Sequence, residues 1–232
     1  MGKIMKKNSG FSLVELMVSM AISSMVIGAI YGVYTIQNRS YTVQEQVSEM
    51  QQKGRAALDF MVRDIRMASY DTPDGSCSSG NVSIAKPEEL KFESCDETGN
   101  KVTLRYGLYD AYESSGMNNG IKDDLFREKD NGTKQLIAEG VTALEFFYFL
   151  ENPTDLPDTT IASADLEDIR SVQISMLIRA TYPDVKYTDT ILHTPASGIS
   201  TWDIKGAGSN PPGDHFHRRL LITTIKLRNM GL

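Results

Sequence analysis

Three regimes of apolar patterning follow one another along the chain. From Leu16 to Asn38, 23 residues pass without a charge. Coiled as a helix they span about 35 Å, enough to cross a hydrocarbon core of about 30 Å. Beyond Arg39, apolar or small residues recur at Val43, Val47, Met50, Gly54, Leu58, Met61, Ile65 and Ala68, in steps of three and four. That spacing is an amphipathic helical stripe. The other face carries Gln44, Glu45, Glu49, Gln52, Lys53, Arg55, Asp59 and Arg63. No proline interrupts Phe11–Ser69, so the pattern predicts one helix of 59 residues, roughly 88 Å long. The breaker cluster Tyr70-Asp71-Thr72-Pro73-Asp74-Gly75 should end it.

After Pro73 the period changes from about four to two. Val82–Ala85, Glu89–Glu93 and Lys101–Leu108 read as short strands. Asp124–Lys129 and Lys134–Ala138 flank Asp130-Asn131-Gly132-Thr133, a hairpin signal. Val141–Leu150 is dense in aromatics, and Ile169–Thr181 sets Val172, Ile174, Met176 and Ile178 on one face with Gln173 and Ser175 on the other. A last strand near Phe216–Arg228 aligns Leu221, Thr223, Ile225 and Leu227. Residues 183–214, rich in Pro, Gly, Ser and Asp, predict a long surface loop. The expected fold class is α+β: a long N-terminal helix, half transmembrane and half packed on an antiparallel sheet.

Charge orients this arrangement. The chain of 232 residues carries a net charge of −6. Three of its 24 basic residues, Lys3, Lys6 and Lys7, fall in the first ten positions with no acid, leaving 21 basic and 30 acidic residues in the rest. Lysines before the apolar run and none just after it place the N-terminus in the cytoplasm and the body outside. The acidic body argues against general nucleic-acid binding, which needs clustered cations. The run is too long, and too closely preceded by an acid, for an ordinary secretory signal. The two cysteines, Cys77 and Cys95, have 17 residues between them and no CxxC partner. Outside the cytoplasm a disulfide is the expected state, with unpaired thiols as the alternative for a cytosolic domain.

An anchor alone does not explain Glu15. A carboxylate at the edge of a membrane helix costs several kcal/mol unless it is paired, although snorkelling to the headgroups would also relieve it. Lys-Lys-Asn-Ser-Gly followed by Phe-Ser-Leu-Val-Glu-Leu-Met-Val resembles the leader of type IV prepilins and pseudopilins. Gly10, Phe11 and Glu15 match that motif position by position. The resemblance implies cleavage between Gly10 and Phe11 by a prepilin peptidase, and methylation of the new Phe11 amine. It also implies that Glu15 sets subunit register by pairing with a neighbour's terminal amine. The segments LIAEGVTALEFFYF, IRSVQISMLIRA and HRRLLITTIKLRN are similar to those of PilW-type minor pilins, with GspJ-type pseudopilins as relatives.

No enzyme motif is present: GxSxG, HExxH, a Walker loop and GxGxxG are all missing. Asp214-His215-Phe216-His217 supplies two imidazoles of a metal set, with His193 elsewhere, but no third ligand can be named. Asp123-Asp124 and Asp130-Asn131-Gly132 lack the spacing of a calcium loop, and Gly116–Gly120 lacks the context of a phosphate loop. Arg218, Arg219, Lys226 and Arg228 form the one basic cluster, with Arg218 and Lys226 opposite the apolar face, so solvation or salt bridges to neighbouring subunits suffice for them. Gly28 and Gly32 form a GxxxG pair that either favours close helix contact or marks an easily melted turn.

The resulting expectation is a leader at 1–10, a transmembrane and filament-core helix at 11–38, its amphipathic continuation at 39–70, and a β-rich periplasmic or extracellular domain at 71–232. The resemblance implies a non-enzymatic minor pilin without cofactor or metal, first in the inner membrane and then in a surface pilus, priming assembly near its tip. Its partners would be the prepilin peptidase, other minor pilins, the major pilin and the inner-membrane assembly platform. A type II secretion pseudopilin and a membrane-anchored periplasmic binding domain are the alternatives.

Overall fold

The structure is a computed structural model that describes residues 10–72, 75–78, 80–96, 98–111, 120–151, 158–199 and 202–227. The leader before Gly10, the Gly116–Asn119 turn and Arg228 lie outside the described residues. The chain divides into two compact units between Glu45 and Gln46.

Helix α1 runs from Leu13 to Arg66, 54 residues. It stops three residues short of the expected end, because Ser69 takes a left-handed conformation with φ of 57°, a common way to close a helix. The Ser69 N–H then donates to Glu93 O at 2.9 Å, and Cys95 N–H donates to Tyr70 O at 3.1 Å. These two bonds lay the departing chain along a strand.

Every expected strand is present, but in two sheets rather than one. β1 (Val82–Lys86), β2 (Glu89–Cys95), β3 (Lys101–Tyr109), β4 (Asp124–Lys129) and β5 (Gln135–Ala138) form an antiparallel meander in sequence order. The β4–β5 turn follows its sequence signal. Asp130 and Asn131 both have positive φ, 55° and 54°, and Gly132 N–H donates to Lys129 O at 2.9 Å, the geometry of a type I′ turn. β6 (Val141–Leu150), β7 (Ile169–Arg179) and β8 (Arg218–Lys226) form a second antiparallel sheet in the order β6-β7-β8. Only Glu139 and Gly140 separate β5 from β6, and Gly140 turns the chain at φ 73°. The sheets are stitched where Phe146 N–H donates to Pro87 O at 2.7 Å and the Tyr148 hydroxyl donates to Lys86 O at 3.0 Å.

One core lies between the sheets and the second half of α1. Met50, Leu58, Met61, Ile65 and Ala68 of the predicted stripe are buried with Phe92, Tyr106, Leu125, Phe146, Tyr148, Ile174 and Met176. Burying each large side chain stabilises by roughly 1.5–3 kcal/mol. Gly54 belongs to this stripe for want of space. A Cβ there would meet Leu221 Cδ1 at 2.6 Å and Ile178 Cγ2 at 3.3 Å.

The segment after β7 departs from the expected surface loop. Trp202 and Ile204 pack with Ala143 and Leu177 on the far face of the second sheet, supported by Leu220. Asp189, His193, Pro195 and Pro212 are buried as well.

Candidate functional site

In the first unit the helix begins as Leu16 N–H donates to Ser12 O at 3.1 Å. Glu15 therefore lies in its first turn, where the free N–H groups and the helix dipole favour a negative charge. Phe11 is 84% exposed, and the large apolar side chains from Leu13 to Ile36 are exposed throughout. Along this stretch the hydroxyls of Ser19, Ser24 and Thr35 donate to the carbonyls of Leu16, Ala21 and Gly32, each at 2.9 Å. Such bonds let hydroxyls enter an apolar phase without an unsatisfied donor. A Cβ at Gly28 or Gly32 would meet nothing within 4 Å, so packing among the described residues requires neither glycine.

The second unit holds a charge that the stripe concealed. Asp64 is buried, and its Oδ2 accepts from the Tyr106 hydroxyl at 2.7 Å and from Arg127 Nε at 2.6 Å. The helix is thereby bonded to β3 and β4. Burial, and then the Asp64 charge, push the Tyr106 hydroxyl far above its ordinary range. Burial alone would lower the Arg127 guanidinium, but Asp64 more than offsets it and the net shift is upward. The sequence signal was available: Asp64 stands three residues after Met61 and one before Ile65, on the apolar face.

Cys77 and Cys95 are joined as a disulfide. Thr72 Oγ1 accepts from Cys77 N–H at 2.9 Å, so the bond ties the stretch after α1 to the end of β2.

Of the remaining polar residues singled out in the sequence, Arg219 and Lys226 are exposed, whereas Arg218, the histidines and the Asp123-Asp124 pair are engaged within the fold. Arg218 is not solvated as its strand position suggested. Its side chain is 1% exposed, and Nη1 lies 3.1 Å from Asp189 Oδ2 and 2.6 Å from Asp214 Oδ1. Burial alone would raise the Asp214 carboxyl, yet the bonds from Arg218 and the Phe216 N–H leave it lowered. His193 Nε2 lies 3.0 Å from Asp189 Oδ2. His215 and His217 precede β8 rather than sharing it; Nδ1 of His215 meets Tyr187 O, and the His217 ring stacks on Tyr187 at 3.9 Å. Asp123 pairs with Arg179 at 2.8 Å, and Asp124 accepts from Ala111 N–H at 2.9 Å. Among the described residues no three His, Cys, Asp or Glu side chains are placed to hold a metal.

A helix apolar enough to cross a membrane, headed by an acid in its first turn and followed by a helix-backed antiparallel β domain, defines a pilin-like subunit. Residues 5–31 match the prokaryotic N-terminal methylation motif. Residues 108–229 match the type IV pilus-assembly protein W family, and the chain belongs to it. The fold is shared with a type IV-like pilin from Thermus thermophilus, with a TM-score of 0.53, 11% identity, and coverage of 79% of this chain and 100% of that one. No curated protein matches.

Proposed function

We propose that this chain is a minor subunit of a type IV pilus that helps to prime assembly and sits near the filament tip. The observation that carries this reading is the pairing of an uncovered apolar helix with Glu15 in its first turn, four residues beyond Phe11. On this reading a prepilin peptidase cuts after Gly10 and the Phe11 amine is methylated. The new cation at the membrane edge gives a carboxylate of the next subunit its counter-charge, and the pairing sets axial register. Helix association in lipid lacks a hydrophobic drive, so an ion pair whose alternative is an unpaired charge in hydrocarbon selects register strongly. The body then lies in the periplasm before assembly, and the partners are other pilins and the inner-membrane platform.

Two measurements test it. The intact mass of the purified protein should show loss of residues 1–10 and gain of one methyl group. An intact leader would sink the pilin reading in favour of a tethered binding domain. A Glu15→Ala chain should be cleaved normally and fail to enter filaments; normal incorporation would refute the register role. Normal piliation with lost exoprotein secretion in a deletion strain would assign the chain to a type II secretion system instead.

A further inference from the structure

Four strands end the two sheets: β1 and β5 in the first, β6 and β8 in the second. Three carry devices that blunt an edge against foreign strands. β1 is five residues long and its register shifts between Val82 and Ile84. β5 has four residues and a shifted ladder. β6 shifts twice and is bridged at Tyr148 to Asp158. β8 is neither short, shifted nor bridged, and its exposed charges, Arg219 and Lys226, stand only near its two ends. Its nine residues contain no Pro or Gly, and its ladder to β7 runs from Arg218 to Lys226 without a shift.

The outward hydrogen-bonding groups of β8 follow from two bonds at the ends of this ladder. Ala180 N–H donates to His217 O at 2.8 Å, and Leu227 N–H donates to Arg170 O at 3.0 Å. Both join residues directly opposite in the register that pairs Arg179 with Arg218 and Ser171 with Lys226. Hydrogen-bonded and non-hydrogen-bonded pairs alternate in an antiparallel ladder. Arg219, Leu221, Thr223 and Ile225 therefore turn their backbone groups toward β7. Leu220, Ile222, Thr224 and Lys226 turn theirs away from it. Ile222 is 49% exposed, and Thr224 and Lys226 are exposed too.

The side chains specify the visitor. Arg219 and Lys226 are exposed near the two ends, the strand holds no acid, and among the described residues neither cation is in an ion pair. A second copy supplies no counter-charge. Residues that turn their backbone groups outward face one another in an antiparallel pair, so Lys226 would meet Arg218, Leu220, Ile222 or Thr224 of the copy and Arg219 would meet Thr223 or Ile225, none of them an acid.

We propose that the outer edge of β8, unpaired among the described residues, takes an extended segment of a different polypeptide, with acidic side chains opposite Arg219 and Lys226 and an apolar one opposite Ile222. Backbone bonds supply affinity and the alternate side chains supply choice, as in other strand additions. The inference stands on strand geometry and holds whichever filament the chain enters.

The test uses the full chain in detergent and a capped peptide of Val and Thr with Glu at each end, spaced as Arg219 and Lys226 are. That peptide fits in either direction. It should bind saturably by fluorescence anisotropy and slow hydrogen exchange at Ile222 and Thr224, leaving Leu221 and Thr223 unchanged. Replacing its Glu by Lys should weaken binding about tenfold. N-methylating the amides that face β8 should abolish binding. An R219E/K226E chain should reverse the preference and favour the Lys peptide. Absence of saturable binding, equal affinity for both peptides, or binding that survives N-methylation overturns the proposal. Protection of Ile222 and Thr224 that rises with chain concentration without peptide also overturns it, and makes a second copy the occupant.

Discussion

Replacing Asp64 by Ala should unlock the helix from the first sheet. The carboxylate is buried, Tyr106 is fully buried, and both donors converge on the same oxygen. Its removal leaves a guanidinium without a counter-ion and a phenol without an acceptor. Breaking a fully buried pair costs about 3–5 kcal/mol. The Arg127 side chain keeps 22% exposure, so water recovers part of that, and a loss of about 2–3 kcal/mol is expected. In a unit of this size each kcal/mol moves Tm by about 2–4 °C, which gives a drop of about 4–12 °C. The assay is thermal unfolding of the full chain in detergent, followed by near-UV circular dichroism. The triple variant Asp64→Leu, Tyr106→Phe, Arg127→Met removes the whole polar set, and should recover at least half of the loss because no charge is stranded. A single variant that melts with the parent, or a triple variant no better than the single, would refute the coupling.

Arg218→Met takes the guanidinium from Asp189, a residue with no exposure, leaving it His193 Nε2 and the Ile191 N–H, and should cost about 3 kcal/mol. Trp202, the one tryptophan of the chain, reports it: its emission should shift to the red as the 183–214 segment leaves the sheet, and an unshifted spectrum would deny the anchoring role of Arg218. At alkaline pH the sign is set by Tyr106, whose hydroxyl is raised above the ordinary 10.0, first by burial and then by Asp64. A raised folded-state pKa stabilises fully below the unfolded value and is lost as pH climbs past it. Stability should therefore fall above pH 10.0, and less steeply in Tyr106→Phe; parallel pH curves would count against this. Reducing the Cys77–Cys95 bond, which spans a sequence separation of 18, should cost about 3 kcal/mol in the chain-entropy model. Oxidised and reduced chains with the same melting curve would show that the loop contributes nothing.

Local pattern revealed the elements well and their partners badly. The stripe from Val43 to Ala68 and the alternation in β7 are signals within one segment, so a single chain suffices to read them. Which strand lies beside which is not such a signal. Nothing in the residues around Glu139-Gly140 distinguishes a turn within a sheet from a step into a second one. The 183–214 segment misled for a related reason. Its Pro, Gly and Asp content suits a solvated loop, yet Trp202 and Ile204 bury on the sheet, and Asp189 is carried inside because Arg218 waits there. Strand alternation put Arg218 opposite the helix-facing apolar side correctly. It could not show that this face too would be covered. At the N-terminus a short motif exposed the Gly10, Phe11 and Glu15 reading, because that motif is local.

Glu15 and Asp64 stand on one helix under opposite conditions. Asp64 meets Arg127 and Tyr106 inside its own fold, so its charge is balanced before any partner arrives. Among the described residues Glu15 has no ion pair, and the side chains around it are exposed and apolar. The helix is thus built for two solvents. Its second half hides apolar surface against the sheets and tolerates one acid because the sheets supply a cation. Its first half hides nothing, and on the proposed reading it tolerates one acid because another subunit supplies the amine. An internal partner for Glu15 would remove that dependence. An arginine introduced one helical turn away, at Ser19, should therefore weaken filament entry with the apolar surface almost unchanged, whereas a Ser19→Gln control should not. Equal incorporation of both variants would show that apolar packing alone drives entry.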